Sequence, residues 1–362
     1  MFSMECKRAF LEKNMKNRNH SCFFTGTMLS VGLLCVFVLP AAKSQTSYTV
    51  TDLGTLGGGT SFVFFGGINN RGQVVGVSST SDSASHAFLY TDGQMIDIGT
   101  LGGSSSDASS INNRGQVVGD SLISGDTATH AFLYTDGHMI DLGTLGGSES
   151  FAYGINNRGQ IAGTLLRVDN TTHAFLYTDG QVIDLGTLGG SSSDASSINN
   201  RGQVVGGSLI SGDTATHAFL YTDGHMIDLG TLGGSFSEAL SVNDRGQVVG
   251  QSFISGDAAI HAFLYSDGQM IDLGTVGAPQ SAALGMNNRG QIVGQSSSIL
   301  GKYHGHAFLY SDGQMQDLNS LITPNSGWIL REATGVNDAG QIVGFGAFNG
   351  SFFRAFLLTP VR

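Results

Sequence analysis

From Tyr48 onward the apolar residues come in short runs separated by Gly, Asn, Asp and Ser, with no 3.6-residue spacing that would suggest a helix. One stretch shows the pattern. Ala108 to Ile111, Gln116 to Gly119, His130 to Tyr134 and Met139 to Leu142 are of strand length, and two of their connections are tight: Asn112-Asn113-Arg114-Gly115 and Asp136-Gly137. Asn, Asp and Gly at such turns supply the positive φ that a hairpin needs. The other two connections, from Gly119 to Thr129 and from Gly143 through Ser150, are longer. The pattern therefore predicts four antiparallel strands per unit.

The unit recurs. Ile68-Asn-Asn-Arg-Gly-Gln-Val-Val-Gly76 has counterparts starting at 111, 155, 198, 242, 286 and 336. His-Ala-Phe-Leu-Tyr begins at His86, His130, His173, His217, His261 and His306, and Arg354-Ala-Phe-Leu-Leu358 is a seventh version. Asp-Leu-Gly-Thr-Leu-Gly-Gly begins at Asp52 and returns in each unit, degenerate at Asp317. Spacings of 43 to 48 residues with four strands per unit match a propeller blade. The ends are complementary: the last unit lacks its fourth strand, and Tyr48 to Leu53 is a fourth strand with no unit before it. The fold predicted is all-β, a seven-bladed β-propeller of four-stranded antiparallel blades, with residues 48–55 pairing against 354–359. Closure of this kind removes two open sheet edges.

The three recurring strings, in fixed order seven times from about residue 48 to 359, resemble the HAF repeat family of extracellular proteins. The resemblance implies export and a repeat fold, and no particular activity. The chain departs from the pattern in its last unit, where Arg354 replaces His, Ala339 replaces Arg, and an insertion carries Trp328.

Composition agrees with strands and export. Gly accounts for 54 of 362 residues and only 12% are charged; the glycines follow no collagen period. Residues 1–44 read as a signal peptide: a basic stretch, the 12-residue apolar run Met28 to Leu39, and Ala42-Lys43-Ser44 before a cleavage at Gln45. Met15 is an alternative start. The run is too short to span a bilayer. The domain 45–362 then has 11 basic against 26 acidic residues and no cysteine, which argues against nucleic acid and anionic membrane as partners and excludes thiolate chemistry.

Candidate chemistry falls in two places. Antiparallel order puts both tight turns on one face, where arginines balance aspartates, and the longer connections on the other. To that second face the sequence assigns Asp82, Asp126, Asp169, Asp213, Asp257, Asp107, Glu149, Asp194 and Glu238, against Arg167 and Lys302. An acidic rim suits solubility, or a basic or hydroxyl-rich partner such as an extracellular protein or glycan. It also suits weak Ca²⁺ binding, since no Asp-x-Asp-x-Asp-Gly loop is present. The alternative site is the nonrepeating set His304, Trp328, Arg331 and Glu332, which would serve a polysaccharide lyase or hydrolase. The repeated histidines each have an aspartate placed diagonally across the hairpin, as His86 has Asp97, and read as braces. No cofactor is indicated. The reading favoured is a secreted, non-catalytic binding or scaffold module; a cation-dependent adhesion protein is a third reading.

Overall fold

Valine, isoleucine and aromatic residues at alternate positions, cut by turns every few residues, leave this chain only strands to form. The computed structural model describes residues 46–298, 305–350 and 353–361; the predicted signal peptide 1–44 and His304 lie outside them. Among the described residues there are 28 strands, β1–β28 in chain order, which taken four at a time make seven antiparallel blades. Blade two is representative: β6 (Gly102–Ile111), β7 (Val117–Ile123), β8 (Thr129–Thr135) and β9 (His138–Asp141), innermost to outermost. In blade seven, β26 (Trp328–Val336), β27 (Ile342–Phe348) and β28 (Phe353–Pro360) are completed by β1 (Tyr48–Asp52), with Tyr48 opposite Pro360 and Asp52 opposite Phe356. Closure is therefore as the termini predicted.

Each recurring string has a physical task. The Phe of His-Ala-Phe, from Phe88 to Phe356, is fully buried and packs in a core shared by adjacent blades: Phe219 of blade four lies with Ala162 and Ala174 of blade three. The Ala supplies a backbone N–H to the neighbouring blade. Ala87 donates to Ser106 Oγ at 2.9 Å, and that hydroxyl donates to the Gly99 carbonyl at 2.6 Å. A serine stands at the equivalent place in six blades, Ser61, Ser106, Ser150, Ser193, Ser237 and Ser281; in blade seven a bulge at Arg331 puts the buried Leu330 in that register, in one core with Ala307. The His braces its own hairpin, with His86 Nδ1 2.8 Å from Asp97 and five equivalent pairs. Where Arg354 replaces His, it pairs with Asp52 at 3.0 Å, so the brace ties the two ends of the chain together.

The Asn-Asn turn does something the sequence reading did not foresee. Its positive φ is taken by Gly115 (85°) alone, whereas at the second turn both Asp136 (51°) and Gly137 (79°) take it. The asparagines are hydrogen-bonding residues. Asn156 Oδ1 accepts from the Arg158 and Gln160 backbones, and its Nδ2 donates to Gln160 Oε1 and, at 3.0 Å, to the Asn199 carbonyl of the next blade. The same link runs from Asn69 through Asn112, Asn156, Asn199, Asn243, Asn287 and Asn337 back to Asn69. A second closed ring follows from the next residue: Asn70 N–H donates to Asn113 Oδ1, and so on through Asn157, Asn200, Asp244, Asn288 and Asp338 to Asn70. Buried polar groups are tolerated only when satisfied, and here each ring member satisfies its neighbour.

Candidate functional site: the two ends of the axis

The propeller axis differs at its two ends. At the tight-turn end the Asn rings and the residues just before them, such as Ser110, Ile111 and Ile155, surround a space of about 180 Å³. The ring chemistry repeats blade by blade, with Asp at only Asp244 and Asp338, and both carboxylates already accept hydrogen bonds from Asn side chains.

Toward the long-connection end lies a cavity of about 400 Å³, lined mostly by residues of the innermost strands, with Asp120 of β7 and Phe64 and Phe65 just after β2 (Gly57–Phe62). The lining positions lie three and five residues before the ring asparagine. In blades two to five the side chains there that reach the cavity are Asp107, Asp194 and Glu238 at minus five and Ser109, Tyr153, Ser196 and Leu240 at minus three; the same positions read Ala282 and Leu284 in blade six and Glu332 and Thr334 in blade seven. Blade one breaks the register. Ser61 to Asn69 spans eight positions where Ser106 to Asn112 spans six, so two extra residues push Phe64 and Phe65 into the channel, and Phe65 packs against Leu240, Ala282 and Leu284 of blades five and six. One side of the cavity is therefore apolar. The other carries Asp107, Asp120, Asp194 and Glu238 around Tyr153, and among the described residues no Lys, Arg or His lines it.

The electrostatics follow from burial and crowding. Asp107 on β6 and Asp120 on β7 are directly opposite each other across the strand pair, an arrangement that like charges oppose. Burial, and then the charges of Asp107 and Glu149, push the Asp120 carboxyl up to about 7. Burial also raises Asp107, Asp194 and Glu238, the last eased by a hydrogen bond from Gln251 at 3.0 Å. Tyr153 is pushed up to about 12, by burial and then by Asp120 and Asp194, and so remains a neutral phenol between two carboxylates. Its ring stacks on Phe151. Asp194 and Tyr153 keep accessible surface because they face the cavity, while the protein packed around them still raises both groups by burial.

The acids assigned to one rim thus separate into two groups. Asp107, Asp194 and Glu238 lie on inner strands, β14 (Gly189–Ile198) and β18 (Gly233–Val242) carrying the latter two, because these strands begin several residues earlier than the apolar runs suggest. Glu149 opens β10 (Glu149–Ile155) and acts on Asp120. The loop aspartates have local work instead. Asp126, Asp213 and Asp257, all at positive φ, accept the backbone N–H of Ser104, Ser191 and Ser235 at 2.7–2.8 Å and so pin the Gly-Gly-Ser arch of their own blade. Asp82 accepts from the Thr80 hydroxyl and Asp169 from Thr171, and these bonds hold both carboxyls below their ordinary range.

Members of the alternative set that are described do not converge. Trp328 stacks on Phe348 at 4.9 Å and meets Phe356 edge-on, packed against the core of blade seven. Arg331 is the extra residue of the bulge between Leu330 and Glu332 and donates to the Gly305 carbonyl at 3.5 Å. Glu332 sits at the tier of Asp107, pushed up to about 7 by burial. Sequence reasoning missed Asp120, Tyr153, Phe64 and Phe65. The available signal was departure from the repeat: Asp120, where the other copy has Gly207, is the one difference between residues 99–148 and 186–235, and Phe64-Phe65 falls in the two-residue insertion.

Comparison with solved structures returns propellers. The β-propeller domain of the Trilobed protease from Pyrococcus furiosus matches at a TM-score of 0.55 and 8% identity over 83% of this chain and 97% of that one. It is described as having an open velcro topology, whereas here β1 completes the last blade. A puromycin-hydrolyzing peptidase of Mycobacterium tuberculosis matches at 0.50 and 11% identity, over 87% of this chain and 56% of that one. TolB of Acinetobacter baumannii gives 0.46 at 15%, over 72% and 63%. No family model and no curated protein sequence matches the chain. At these identities the likeness shows the fold alone, and the fold is the β-propeller.

Proposed function

We propose that the chain is an extracellular binding module of the HAF-repeat kind, exported by its N-terminal segment, that holds its ligand without chemistry in the axial cavity at the long-connection end. One observation carries this reading: the rings, seams and braces keep the same residues in six of the seven blades or more, Asp244 and Asp338 in the second ring apart, whereas the side chains lining a cavity of about 400 Å³ change from blade to blade, a volume suited to a small ligand or one protruding group of a larger partner. The loop aspartates, engaged with their own blade, support architecture rather than recognition.

The test is a blocked cavity. Ser196→Trp fills the lumen from blade four. Labelled wild-type protein and the variant are applied to arrays of cationic peptides and of glycans, with circular dichroism and melting to confirm the fold. Retention by the wild type and its loss in the variant are expected. Equal retention of a folded Ser196→Trp protein would move the binding site elsewhere.

A further inference from the structure

The cavity has two acidic poles. Asp107 and Asp120 form one on blade two; Asp194 and Glu238 of blades four and five, close enough to raise Glu238, form the other. Between them blade three presents the Tyr153 ring, and across the lumen Phe65 and Leu240 form an apolar wall. At the second pole the Thr172 and Thr164 hydroxyls stand beside Asp194 and offset part of the rise that burial gives its carboxyl; the Thr164 hydroxyl, only 4% exposed, does so without closing a well-aligned hydrogen bond, an uncommon state for a buried group. Among the described residues no three carboxylates or histidines converge tightly enough to hold a metal ion. A single small cation therefore cannot engage both poles, whereas an extended organic cation can.

Resting on the binding reading above, we propose that the cavity takes a linear alkyl diammonium ion, one ammonium between Asp107 and Asp120, the other at Asp194 and Glu238, with its methylene chain along Tyr153 and Phe65. Each element of the lining has a counterpart in such a ligand. Ammonium groups supply further donors to carboxylates that have few of their own, and they meet no basic competitor among the described lining residues. The apolar stem replaces water against aromatic surface, and a cation near the Tyr153 face gains from the ring quadrupole. A monoamine satisfies one pole only, and a diol brings no charge to either.

Occupation of the first pole also displaces a proton. With Asp107, Glu149 and Tyr153 facing it, Asp120 retains its proton near pH 6 in the empty cavity; an ammonium beside it favours the carboxylate. Binding then releases hydrogen ion to solution.

The experiment is isothermal titration of the full mature chain at pH 6.5 and low salt with 1,5-diaminopentane, n-pentylamine and 1,5-pentanediol, repeated in two buffers of different ionisation enthalpy. The diamine is expected to bind at least tenfold tighter than the monoamine, the diol not to bind, and the diamine heat to depend on buffer. Asp194→Asn with Glu238→Gln should reduce the diamine to the monoamine's affinity. Asp120→Gly, which places in blade two the residue blade four already has, should weaken the diamine about tenfold and abolish the buffer dependence. A lysine-terminated peptide in place of the diamine separates a free amine from one carried on protein. Equal binding of diol and diamine, or no diamine binding at millimolar concentration, overturns the ligand class and leaves the cavity reading intact; diamine binding that survives Ser196→Trp overturns the cavity reading itself.

Discussion

The two ends of one axis are built from the same innermost strands, yet one is uniform and the other is not. At the tight-turn end every blade supplies an Asn whose amide reaches the next blade, and the ring closes at Asn337 and Asn69, the ends of the repeat array. Three residues earlier on the same strands the side chain is Ser109, Tyr153, Ser196, Leu240, Leu284 or Thr334. Closing a ring demands equivalent geometry from every member, since one missing partner leaves a buried polar group unsatisfied. Filling a lumen does not. A propeller can therefore change its cavity freely while its rings hold the blades in register.

The largest effect should come from opening the ring. Removing residues 45–52 strips β28 of its partner and Tyr48 from the core of blade seven; a loss of about 5 kcal/mol or more, with concentration-dependent aggregation, is expected in urea melts, from burial of large side chains and the exposed edge. Next is the comparison within one axis. Asn156→Ala removes four hydrogen bonds from a residue 3% exposed and should cost about 3 kcal/mol; Ser196→Ala, in the cavity, should stay within about 0.5 kcal/mol. Similar costs at both sites would erase the distinction between the ends.

A pH titration of stability sharpens it further. Below about pH 4 Asp120 is protonated whether the chain is folded or not; between about 4 and 7 only the folded chain keeps the proton; above 7 neither does. Its raised value therefore makes stability fall as pH rises from 4 to 7 and level off beyond. Asp120→Asn should flatten that slope and be the more stable protein at pH 7.5, by about 2 kcal/mol. The smallest effects belong to the outer rim. His130→Ala breaks one half-exposed brace to Asp141 and should cost under ~1 kcal/mol, while Asp126→Asn, which keeps an acceptor for Ser104 and tolerates positive φ, should be almost silent in a melt.

Much of this is legible in the sequence. Strand count, blade number, closure and the His–Asp braces follow from periodicity and from the two-residue Asp-Gly turns, because those are local rules that repeat seven times. The roles of the Asn pair and of Ser106 were not, since a hydrogen bond to the next blade lies 19 to 44 residues away in sequence and local turn chemistry offered a sufficient reading of Asn. Asp107 looked like a loop residue because serine and glycine around it conceal a strand. Gly119 explains part of that strand's shape: a Cβ there would lie 1.9 Å from the Asp107 carbonyl oxygen, at a bulge that the apolar pattern does not encode. The cavity itself was hidden in the departures from the repeat, Asp120 and the Phe64-Phe65 insertion, which a search for repetition passes over.

The most direct measurement is the position of a bound ligand. Crystals of residues 45–362 soaked with 6-bromohexylammonium, its bromine located by anomalous scattering, report which end of the axis receives an alkylammonium. The account predicts one bromine peak inside the cavity, against Phe65, Leu240 and Tyr153, with the nitrogen at one acidic pole, and its disappearance in Ser196→Trp crystals. A peak within the asparagine rings at the tight-turn end, or at the loop aspartates of the rim with the cavity left to solvent, would contradict it.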